Sequence, residues 1–102
     1  MATLIWRAPM QYLSAGDEAA FFGWLQTIPG VVSVTGCGRE LHIRLRATRI
    51  SATALREFIA LYQRYRGNMR ELAQFANSSN ASWFMSKEAP WYAKVFGRNR
   101  VA

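Results

Sequence analysis

The chain has 102 residues, 51% of them hydrophobic and 19% charged, with one cysteine, seven glycines, three prolines and no repeat. The apolar content excludes disorder, the lone Cys37 excludes a disulfide scaffold, and the length admits one domain over 1–102 with one modest core. Net charge is +7, concentrated in residues 39–70, where Arg39, Arg44, Arg46, Arg49, Arg56, Arg64, Arg66 and Arg70 face only Glu40 and Glu57.

In chain order, Leu4 to Ala8 is short and apolar and reads as a first strand. Ser14 is a helix cap with Asp17 three residues on, and Asp17 and Glu18 fall where the helix dipole favours them. Phe21, Phe22, Leu25 and Ile28 follow at helical spacing until Pro29-Gly30 stops a helix over about 15–28. Ala19 to Gly38 carries no charge and approaches spanning length, but Pro29-Gly30 divides it into a buried helix and a buried strand, so no transmembrane segment is expected. Val31 to Thr35 is β-branched, Gly36 to Arg39 reads as a turn, and Glu40 to Arg46 alternates, with Leu41, Ile43 and Leu45 facing inward. The two strands form a hairpin.

Ser51 caps a second helix, whose stripe is Leu55, Phe58, Ile59, Tyr62 and Tyr65, and Gly67 suits a left-handed position at its end. Asn68 caps a third helix, Asn77 to Asn80 forms a loop, residues 81–96 hold one or two short helices, and 98–102 is a loose end. The expected fold is α+β: a βαββα core (1–67) with a three-stranded sheet, followed by a helical extension (68–97). Its first five elements are similar to those of the ferredoxin-like arrangement, in which the first and third strands are neighbours. The last strand of that arrangement has no counterpart here, which leaves the first strand with an open edge, a covering tail or a partner's strand.

The chemistry-bearing residues exclude more than they assign. Cys37 and His42 are the single cysteine and histidine, too few to hold zinc and without an orienting third group for a nucleophilic pair. Gly36-Cys37-Gly38 joins two strands and opens no helix, so it is no dinucleotide site. No cofactor and no metal are expected, and the balance is against an enzyme.

Two features stand out as candidate binding surfaces. One is the arginine block, with Arg44, Arg46 and Arg49 at the third strand and Arg64, Arg66 and Arg70 at the far end of the second helix. Arginine forks suit phosphate and carboxylate, and Trp6 or Tyr12 would supply stacking for a nucleic acid. The other is the aromatic tail, with Trp83, Phe84, Trp91, Tyr92 and Phe96, of which Trp91 and Tyr92 are the candidate anchors. The leading expectation is a small non-catalytic module that binds another protein, or a second copy of itself, through aromatic anchors ringed by arginines. The alternatives are a nucleic-acid-binding domain using block 39–70, or a small ligand-binding or cofactor-free enzyme of ferredoxin-like shape. Met1 to Leu13 shows no secretion signal, so cytoplasmic residence is the default expectation.

Overall fold

β3 (Glu40–Leu45) is the middle of the sheet, with β1 (Ala2–Trp6) paired to one side and β2 (Val31–Cys37) to the other, both antiparallel. This computed structural model describes residues 1–7 and 11–97. Ala8, the expected end of the first strand, and the expected loose end 98–102 lie outside the described residues. The helices are α1 (Ala15–Thr27), α2 (Ala52–Arg64), a 3-10 segment (Met69–Phe75), α3 (Ala81–Phe84) and α4 (Tyr92–Phe96), so the chain is α+β. No helix among the described residues is long and apolar enough to cross a membrane.

Alternation along β3 decides which way the sheet faces. Ile43 and Leu45 are buried, with Leu41 half-buried on the same face, and their register partners Leu4 and Ala2 on β1 point the same way. Glu40 and His42 are half-buried and Arg44 is exposed on the other face, which no helix among the described residues covers. The hairpin turn is tighter than the sequence implied. Gly36 and Cys37 belong to β2, leaving Gly38-Arg39 as the two-residue connection, with Gly38 at φ 61°. A bulge at Val32 shifts the register between Val31 and Ser33.

Both long helices start as their sequences require. The Ser14 hydroxyl accepts from the Asp17 amide at 3.0 Å, and the Asp17 carboxylate accepts from the Leu13 amide at 3.0 Å. The Ser51 hydroxyl accepts from the Ala54 amide at 3.1 Å. The end of α2 corrects the sequence reading. The left-handed residue is Arg66, at φ 60°, not Gly67. The Gly67 amide donates to the Tyr62 carbonyl at 2.9 Å, the long bond of a Schellman ending in which Arg66 occupies the position glycine usually takes. Gly67 is glycine for space: a Cβ there would stand 2.5 Å from Tyr62 Cδ2 and 2.7 Å from Trp6 Cζ2.

One hydrophobic cluster joins the sheet to the tail. Trp6 is fully buried, its ring 4.1 Å from that of Tyr62 and edge-on to Phe21 at 5.3 Å. It belongs to the core and offers no stacking surface to a nucleic acid. Phe58 of α2 stacks on Phe75 at 6.2 Å, and Phe84 and Val95 are buried in the same cluster. The Trp91 indole N–H donates to the Phe84 carbonyl at 2.8 Å, holding α3 and α4 together. The loop between Asn77 and Asn80 bonds to itself and to the core: the buried Asn80 amide group donates to the Phe75 carbonyl at 2.8 Å. Residues 69–75 form a 3-10 segment where an ordinary helix was expected, with Met69, Leu72 and Phe75 buried.

Candidate functional site

Four of the six acids, Asp17, Glu40, Glu57 and Glu71, bond to groups of the fold, and most arginines have no counter-charge among the described residues. Among the described residues, only Arg7 and His42 come within ion-pair distance of an acid, both on Glu40, at 3.6 and 3.1 Å. Glu57 accepts from the Trp24 indole at 2.7 Å, and Asp17 is held in the α1 cap. Glu71 accepts from the Tyr62 hydroxyl at 2.9 Å and from the Arg7 amide at 3.2 Å. No such acid stands beside Arg44, Arg46, Arg49, Arg56, Arg64, Arg66 or Arg70 among the described residues.

These arginines do not form one patch. Arg44 lies on the open sheet face, its guanidinium 3.2 Å from Met1 Sδ. Arg46 and Arg49 follow β3 and flank the start of α2, where Arg49 donates to the Ser79 hydroxyl at 3.0 Å. Arg64, Arg66 and Arg70 sit at the other end of α2. Thirteen residues at 1.5 Å per residue put the two groups about 18 Å apart along the helix axis.

What the fold does bring together is a groove along the outer side of α2. Its middle is lined by Ile59, Ala60, Pro90 and Trp91, with Arg56 at one end, enclosing about 330 Å³. Gln63 also lines the adjoining basic cavity of about 400 Å³, shared with Arg66, Arg70 and Lys94. The Lys94 ammonium donates to Gln63 Oε1 at 2.8 Å, so α4 and α2 meet where the two cavities join. Arg56 lies over the Trp83 ring at 4.0 Å, a cation–π contact that leaves the charge unneutralised. Of the two candidate aromatic anchors, Trp91 lines this groove, whereas Tyr92 is half-buried with its ring 5.6 Å from Phe96.

The titratable groups that are shifted are tied up in structure. Burial raises the Tyr62 hydroxyl far above its ordinary value, and the neighbouring Glu71 charge raises it further. Burial also pushes Glu71 upward, partly offset by the Tyr62 and Arg7 hydrogen bonds. Both Glu71 oxygens are occupied by the protein's own donors, so this pair fastens the end of β1 to α2 and the 3-10 segment. Burial raises Tyr12 too, followed by the charges of Glu18 and Asp17. Cys37 and His42 share the open sheet face. Cys37 opposes Glu40 and His42 opposes Thr35, a diagonal placement of roughly 7–8 Å in an antiparallel ladder. The His42 ring turns instead to Glu40, its Nε2 3.1 Å from the carboxylate.

Arg56, expected only as a member of the basic block 39–70, was not singled out from the sequence as a site residue, nor were Gln63 and Lys94. The signal for the first two was available: positions 56, 59, 60 and 63 recur at helical spacing on the face of α2 away from the sheet. Lys94 comes from tertiary packing of the tail and has no local signature. No protein-family model, no curated protein and no solved structure matches the chain.

Proposed function

We propose that the protein is a non-catalytic binding module whose groove along α2 receives a segment of another protein, one with an apolar side chain flanked by acidic groups. The observation that carries this reading is the groove's make-up. Ile59, Ala60, Pro90 and Trp91 form an apolar middle, and cations without acid partners among the described residues stand at both ends. Interface anchors are enriched in tryptophan and arginine, and complementary charge sets the register of a bound segment. The ferredoxin-like description of the βαββα core belongs to the same proposal. It is supported by the β1-β3-β2 order, and the helical chain after α2 takes the place of a fourth strand.

The test is selection from a random peptide library displayed against the protein. Enriched sequences should carry a large apolar residue with Asp or Glu on either side. Their binding should be lost on Ala60→Glu, which fills the apolar middle of the groove and places a negative charge there from an exposed helix position. Selected peptides that bind Ala60→Glu unchanged would refute the reading. A nucleic-acid surface is the second reading, favoured by Arg44, Arg46 and Arg49, none within ion-pair distance of an acid among the described residues. It requires Arg44→Gln with Arg46→Gln to lower the salt dependence of RNA binding by roughly 1.5 in slope. The separation of the two arginine groups along α2 weighs against it.

A further inference from the structure

We infer that the basic end of this groove is a phosphate site, so that the segment it takes carries a phosphoryl group about three residues from its apolar anchor. The inference rests on the groove being a peptide site. Arg66, Arg70 and Lys94 line one cavity of about 400 Å³. No carboxylate among the described residues lies within ion-pair distance of any of the three. The acid of the adjoining segment, Glu71, already accepts from Tyr62 and Arg7. Three cations held together repel one another, and a phosphate, with close to two negative charges and three acceptor oxygens, offsets more of that repulsion than a carboxylate.

Arg66 supplies an independent observation. It holds φ 60° at a helix ending where glycine is the unstrained choice. A guanidinium kept at such a position, on the rim of a cavity lined by two other cations, points to a use for its charge. Spacing follows from the helix. Ile59, beside Trp91, and Arg66 are seven residues apart, about 10 Å along or just beyond α2, which an extended segment covers in about three residues.

The experiment compares three synthetic peptides that differ at one position. Each has leucine followed three residues later by phosphoserine, serine or glutamate, within an otherwise Gly/Ser sequence bearing one aspartate before the leucine. Binding is followed by the amide signals of Gly67 to Arg70 and the Trp91 indole signal. The phosphoserine peptide should bind about tenfold tighter than the glutamate one and shift both sets of signals, and Arg66→Gly should remove that advantage. Because Arg66→Gly also relieves the backbone, its melting temperature should not fall, which separates loss of binding from loss of folding. Equal affinity of the phosphoserine and glutamate peptides, with the Trp91 signal shifted, overturns the phosphate site and leaves the groove reading intact. No shift of Trp91 with any peptide overturns both. An RNA dodecamer that shifts Gly67 to Arg70 more tightly than the phosphopeptide would reassign the cations to a nucleic-acid backbone, and so overturn the inference too.

Discussion

α1 and α2 are both thirteen residues long and both start from a serine cap, yet they hold very unequal shares of the core. α1 fully buries Phe21 and Leu25, whereas α2 buries Ala54, Leu55, Phe58, Ile59, Leu61 and Tyr62. The difference lies in what surrounds them. α1 packs on the sheet and leaves its other side to water, with the Trp24–Glu57 bond reaching across to α2. α2 has the sheet on one side, through Tyr62 on Trp6, and the 3-10 segment on another, through Phe58 on Phe75. Equal caps and equal lengths therefore do not make equal helices. The tail turns α2 into a central element, and the same tail builds the wall of the groove.

The largest expected effect breaks the packing that distinguishes α2. Phe58→Ala should cost about 3–5 kcal/mol in urea unfolding, because a fully buried ring is removed between two layers. Phe22→Ala on α1, half-exposed, should cost about 1 kcal/mol. Equal losses would mean that the tail contributes nothing to α2.

Next comes the fastening of β1 to α2. Glu71→Ala leaves the Tyr62 hydroxyl and the Arg7 amide without their acceptor and should cost about 1–3 kcal/mol. Glu71 also shapes the pH response. Its folded-state pKa is raised by burial, so the folded protein holds this proton more tightly than the unfolded chain. Its contribution is then fully present below the ordinary glutamate range and is lost as pH rises through the raised value. Glu71→Gln should flatten that stretch of the stability–pH curve, as read by thermal melts across pH 4 to 7.

The smallest effect sharpens the comparison by removing what the helices share. Ser14→Ala and Ser51→Ala should each cost about 1 kcal/mol, because each hydroxyl satisfies one amide of the first turn. Circular dichroism melts that separate the two by much more than this would tie capping to packing.

Features with local causes were legible in the sequence. The serine caps, the Pro29-Gly30 stop and the alternation of β3 located the strands and the long helices. Of the residues expected in the core, Phe21, Leu25, Ile43, Leu45, Leu55, Phe58 and Ile59 are buried and Leu41 is half-buried. What escaped depends on distant neighbours. Trp6 next to Arg7 resembled an exposed stacking residue until Tyr62 and Phe21 closed over it. Gly67 was expected in a left-handed conformation, and only the Trp6 and Tyr62 rings show that it is glycine for space. Residues 69–75 have the apolar spacing of a helix but tighten into 3-10 geometry between α2 and α4. The arginines were found by composition, and their division between β3 and the far end of α2 follows from their positions in the chain. The meeting of Arg66 and Arg70 with Lys94 is a tertiary fact.

The sheet order also separates a local pairing from a distant one. β2 and β3 are joined by two residues, and a hairpin of this kind closes in roughly microseconds. β1 has no such neighbour. Trp6 must find Leu41 and Ala2 must find Leu45 across a long intervening loop, whose closure entropy has to be met before any contact repays it. Until then β3 has one bare edge, and Tyr62 lacks the ring it will pack against. Of the described strands, β1 is thus the one whose pairing closes the longer stretch of chain, and it carries Trp6 onto Tyr62 and Phe21.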